Sequence, residues 1–144
     1  MSALPEGYEV TFDPARIDAV AAHAFLSQSY WAEGIPLDTV QRALAGSLTV
    51  SVWREGSQVA MARVITDRAT FAYLADVYVL EGHEGQGIAR TMVAALRAHP
   101  ELQGLRRWLL FTADAHGVYS KQGFSPLAHP ERAMEIVDPE VYSR

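Results

Sequence analysis

The sequence contains no cysteine, which excludes disulfides, thiolate metal sites and a cysteine nucleophile. It also lacks any excess of positive charge: 12 Lys and Arg stand against 17 Asp and Glu, a net charge of -5. Non-specific binding to nucleic acid or to an anionic membrane needs the opposite sign, so neither is expected as a partner. No stretch approaches the ~18 consecutive apolar residues of a membrane span. The start, Met1 to Glu6, has neither a basic head nor an apolar run, so no secretory signal is read and the cytoplasm is the expected compartment. His23, His83, His99 and His129 show no ligand-like spacing, and no metal site is expected. There is no internal repeat, low-complexity run or linker.

What remains is an ordinary globular composition, 49% hydrophobic and 20% charged over 144 residues. That length suits a single domain over residues 1–144 and buries about 70% of the unfolded surface.

Tyr8 to Phe12 alternates and is rich in β-formers, which predicts a first strand. Asp13-Pro14 reads as an N-cap with proline at the first helical position, opening a helix to about Gln28. Gly34 and Pro36 break the chain before a short second helix with Val40 and Leu44 inward. Strands are predicted over 48–53, 58–66 and 70–80, joined by short turns as an antiparallel meander. Ile88, Met92, Val93 and Leu96 then fall at helical spacing, up to Pro100. A strand over 107–112 after that helix implies a parallel crossover. A short helix over 115–121 stops at Gly123, and 132–137 reads as a last strand. The order β-α-α-β-β-β-α-β-α-β describes an α/β fold on a mixed sheet.

Between the 70–80 strand and its helix lies Glu84-Gly85-Gln86-Gly87-Ile88-Ala89-Arg90. Glycines there let a backbone approach a ligand closely, and the amides of a helix start bind phosphate. The turn reads as a diphosphate cradle or as a bare strand-to-helix turn. It lacks the third glycine of the dinucleotide fingerprint and the Gly-Lys-Ser/Thr of a P-loop.

Val77-Tyr78-Val79, this turn and its helix together resemble the coenzyme A motif of the GNAT acetyltransferases. Downstream, the run from Ala115 to Phe124 resembles that family's second signature, a helix carrying Tyr followed by a Gly-Phe corner. With the element order, the resemblance spans nearly the whole chain. It implies acetyl-coenzyme A as cosubstrate, held by Val77, Tyr78, Val79 and residues Glu84, Gly85, Gln86, Gly87, Ile88, Ala89 and Arg90. One position departs: the family's turn usually begins with Arg or Gln, where this chain has Glu84. A carboxylate there weakens diphosphate binding by an amount that salt screens, with Arg90 as compensation.

Acyl transfer to an amine needs a neutral nucleophile, a donor for the oxyanion and a proton for the leaving thiolate. The resemblance makes Tyr119 the general acid; spacing alone reads it equally as a helix tyrosine packed on the sheet. Asp76 is a lone acid in an apolar strand, costly there unless paired or functional. Two readings stand for it: handling the amine or its proton, or a structural ion pair with Arg63. The resemblance places the oxyanion donor at a backbone N–H near Val79 or Leu80. It also lays the Tyr30-Trp31 loop over the acceptor pocket; the loop reads alternatively as a hydrophobic clasp. His116 reads either as facing the same pocket or as an exposed helix histidine. The expected activity is acetylation of a small-molecule primary amine, the Asp76 acid and the aromatics favouring a cationic acceptor with an apolar body. A non-catalytic acyl-coenzyme A sensor and a protein or peptide N-acetyltransferase are the competing readings. Family habit points to a homodimer.

Overall fold

The computed structural model describes residues 4–144; residues 1–3, part of the stretch read for a targeting signal, lie outside the described residues. Five strands form one sheet in sequence order: β1 (Tyr8–Thr11), β2 (Leu48–Arg54), β3 (Ser57–Thr66), β4 (Phe71–Val79) and β5 (Arg107–Leu109). The first four are antiparallel, and β5 joins β4 in parallel through the predicted crossover. The helices are α1 (Ala19–Leu26), α2 (Leu37–Ala45), α3 (Ile88–Ala98) and α4 (His116–Ser120). Among the described residues no helix is long and apolar enough to cross a membrane.

The sheet has a core on each face. On one, α3 lays Ile88, Met92, Val93 and Leu96 on Val50, Val52, Ala62, Val64, Ala72 and Leu74. Each such buried side chain contributes roughly 1.5–3 kcal/mol. On the other, α1 and α2 cover Met61 and Tyr78 with Ala22, Leu26, Val40 and Leu44.

Three predicted boundaries need correction. Asp13 does cap, accepting from the Ala15 amide at 2.9 Å, but it opens only the single 3-10 turn Pro14–Arg16. Ile17 is extended, and α1 starts at Asp18, whose carboxylate accepts from the Ala21 amide while its own amide donates to Gln58. The fifth strand ends at Leu109 rather than Thr112, because β4 and β5 separate after the Tyr73–Leu109 pair. The last strand does not form: Arg132 belongs to the 3-10 turn Pro130–Arg132, and 133–137 after it is an exposed stretch with no ladder partner.

Candidate active site

Two breaks in the sheet create the site. The first is a β-bulge in β4. Met61 pairs with Tyr78 and Arg63 with Ala75, so Asp76 and Val77 together oppose Ala62. Asp76 takes a φ of +54°, a left-handed conformation that Asp tolerates better than most residues. The extra residue reverses the alternation. Ala72 and Leu74 face the α3 core, and beyond the bulge Val77 and Val79 do so too. Asp76 thereby turns to the face of α1 and α2.

The second break is the divergence of β4 from β5. It opens a cleft of about 580 Å³ lined by Leu74 to Val77 on one wall and Leu110 to Ala115 on the other. Tyr30, Trp31, Arg63 and Tyr119 also line it. The Leu80 amide, one of two positions expected to serve an oxyanion, is spent on the Val59 carbonyl at 2.8 Å. Backbone groups alternate in direction along an antiparallel strand, so the Val79 amide faces the open side.

A polar chain lines the wall of the cleft at the bulge. Asp76 accepts from Arg63 Nε at 2.6 Å and from Trp31 Nε1 at 2.7 Å, one bond to each carboxylate oxygen. The Arg63 and Asp76 side chains are only 15% and 11% exposed. Arg63 donates onward to Ser47 Oγ, which itself donates to the Ala43 carbonyl in α2. Trp31 is thus pinned to the bulge, edge-on to Tyr30 at 5.1 Å between ring centroids. The Tyr30 hydroxyl accepts from the Ala113 amide at 3.4 Å, tying this loop to the opposite wall.

Tyr119 stands on α4 at the edge of the cleft, its ring against Phe124 of the Gly-Phe corner. Burial pushes its pKa above the usual tyrosine value, and the charges of Tyr30 and Asp114 add to the shift. The hydroxyl therefore keeps its proton throughout the neutral range. The turn that follows α4 is tied to α3 by a hydrogen bond from Gln122 to the Arg90 carbonyl.

The glycine turn has the shape a diphosphate requires. Gly85 and Gly87 lie at φ +80° and +78°, where a side chain is strained. Gly87 caps α3 without a side chain, and the first amide to close back is that of Thr91, onto the Gly87 carbonyl. The amides of Ile88, Ala89 and Arg90 have no intrahelical acceptor. Arg90 folds over the turn: a Cβ on Gly87 would lie 3.0 Å from its Nη2. Glu84 and Gln86 are exposed at the rim. These groups fit the diphosphate of a coenzyme A.

Asp76, Arg63, Tyr30, Trp31, Val77 and Tyr119 thus share one cleft. Two predicted residues lie elsewhere. The Tyr78 side chain is buried, stacked on Phe25 at 4.3 Å and bonded to Gln58, because the bulge moves it from the α3 face to the core under α1 and α2. Burial pushes its pKa up to about 12. His116 lines a neighbouring groove with Leu127 and Pro130 rather than this cleft. Sequence reasoning missed Tyr73 and Tyr142, which also line the cleft; Tyr142 arrives from the far C-terminus with no local signal.

The profile of the acetyltransferase (GNAT) family matches residues 16–124. A candidate GNAT-family acetyltransferase of known crystal structure from Xanthomonas campestris pv. campestris is 47% identical, with a TM-score of 0.94 over 99% of this chain and 100% of that one. A candidate acetyltransferase from Gibberella zeae is 35% identical over 137 residues, 79% of this chain and 76% of that protein. The fold is shared with an acetyltransferase from Clostridium acetobutylicum solved with acetyl-CoA, at TM-score 0.66 and 17% identity over 90% of this chain and 94% of that one. The chain belongs to the GNAT acetyltransferase family.

Proposed function

We propose that this protein transfers an acetyl group from acetyl-coenzyme A to the primary amine of a small molecule, with Tyr119 as general acid. The observation that carries this reading is the position of Tyr119: a protonated, half-buried hydroxyl on the rim of the split between β4 and β5. Acetyl-coenzyme A supplies the activated thioester. The amides at the start of α3, with Arg90 above them, hold its diphosphate. The Val79 amide donates where negative charge develops on the acetyl oxygen. Tyr119 gives its proton to the departing sulfur, and the proton shed by the attacking nitrogen returns through solvent to the Tyr119 oxygen.

Asp76 acts by position. Both of its oxygens are engaged and Arg63 balances its charge, so it fixes Trp31 and the bulge rather than taking a proton from the amine. The acceptor then enters as its neutral fraction, between Trp31, Tyr30 and the 110–115 wall. The test is mass spectrometry of amines incubated with protein and acetyl-coenzyme A. A gain of one acetyl group on a small primary amine is expected. Acetylation of peptide amines alone would move the activity to the protein and peptide class. Coenzyme A binding without product on any amine, small or peptide, would favour a sensor.

A further inference from the structure

With Asp76 bound to Arg63, one charge in the cleft is left over. The charged side chains of its lining are Arg63, Asp76 and Asp114. The first two offset each other at 2.6 Å. Asp114 is exposed and makes no ion pair among the described residues. It does not cap α4 either. That helix starts from Ala115 with no side-chain cap bond, and the Ala115 amide goes to Thr112 Oγ1 at 3.0 Å. An exposed Asp is ordinarily a solvated surface charge. This one lies in the cleft, close enough to Tyr119 for its charge to act on that hydroxyl.

The mouth of the cleft around it is aromatic. Tyr30 and Trp31 stand on the loop after α1, 67% and 43% exposed, and Phe111 stands on the wall that carries Asp114, at 69%. Phe111 meets Tyr73 of β4 at 6.0 Å between ring centroids, so rings bridge both walls. Exposed rings gathered in one cleft face a ligand rather than a core. Their electron-rich faces attract a cation. An anionic acceptor finds no free counter-charge, because the one arginine of the lining is already paired.

A single ammonium on Asp114 would be held in its unreactive form, since its lone pair carries the proton. An acceptor that uses Asp114 and still reacts needs two nitrogens. Resting on the transferase reading above, we infer that the acceptor is an alkyl diamine, one nitrogen held as an ammonium by Asp114 among the rings and the other presented neutral to the thioester. The neutral nitrogen bonds to the acetyl carbon and the carbon–sulfur bond breaks. Sulfur leaves with the Tyr119 proton, and the proton shed by nitrogen returns to Tyr119 through solvent. The ammonium on Asp114 keeps its proton throughout, and the product is the monoacetylated diamine.

The test compares diaminobutane with butylamine and aminobutyrate, which share its chain length but end in a methyl and a carboxylate. The KM of the diamine is expected to be about tenfold below that of butylamine, a preference that shrinks as salt is added. Aminobutyrate is expected to be the poorest of the three. Asp114→Asn is expected to raise the diamine KM about fivefold, with kcat and the butylamine KM moving far less. Asp114 bonds to nothing in the fold, so this variant has no reason to unfold. Equal KM values for diamine and butylamine, or an equal loss for both in Asp114→Asn, would overturn the inference. Calorimetric binding of diaminobutane with coenzyme A present separates the two readings. Binding that depends on Asp114 without any acetyl transfer would count against the transferase and leave the ammonium site standing. Acetylation of butylamine with no preference for the diamine would do the reverse.

Discussion

Up to Leu102 the chain buries side chains on both faces of its sheet; beyond Leu102 no described residue is buried. The two parts meet across the cleft, and each supplies a different commodity. The first supplies rigidity: the bulge at Asp76, locked to Arg63, Trp31 and Ser47, and the α3 helix start with its glycine turn. The second supplies the proposed acid, Tyr119, on a five-residue helix held mainly by its Gly-Phe corner and its contacts with α3. Stability and chemistry should therefore respond to mutation on opposite sides of the cleft.

The sharpest separation is expected from Tyr119→Phe. It removes only the hydroxyl, so kcat should fall by about 100-fold or more while the melting temperature holds. Equal loss in kcat and in stability would erase the contrast. Asp76→Asn should do the reverse. It leaves the Arg63 guanidinium largely buried and without its counter-charge, at a cost of about 3 kcal/mol and about 10 °C in Tm. Adding Arg63→Met should recover part of that loss, because the uncompensated charge goes too. The amine KM should rise in both variants, as Trp31 loses its anchor.

Smaller effects belong to the glycine turn. Gly87→Ala forces a Cβ into a left-handed position close to Arg90, costing about 1–2 kcal/mol and raising the KM for acetyl-coenzyme A more than that for the amine. Glu84→Arg should tighten coenzyme A binding only a few-fold, with the gain shrinking as salt is added. On the pH axis, kcat/KM for the amine should climb toward the pKa of a free alkyl amine, about 10.4. Burial raises the Tyr119 pKa above the usual tyrosine value, so the acid stays protonated through the neutral part of that climb. A kcat/KM that does not change with pH across the neutral range would give the amine's proton to a base on the protein.

The sequence made much of this legible because helix periodicity and glycine turns are local. The α3 pattern, the Gly85 and Gly87 turn and the parallel crossover all follow from spacing. The bulge does not. Read as one alternating run, 70–80 puts Tyr78 on the face of Ala72 and Leu74 and gives no sign that parity reverses at Asp76, so its place in the core under α1 and α2 was not legible. The lone acid at Asp76 did signal something unusual, and its pairing with Arg63 was one of the two readings. The end of β5 and the fate of 132–137 were illegible for another reason: pairing partners lie far along the chain, and 132–137 keeps a strand's pattern without a strand's partner.

Thiol release from acetyl-coenzyme A across a panel of small amines, run for the natural sequence beside Tyr119→Phe, tests the central claim most directly. The cysteine-free chain adds no thiol of its own. Release that depends on the amine and nearly vanishes in Tyr119→Phe, with coenzyme A binding intact, is the predicted result. Undiminished release in that variant would contradict the account.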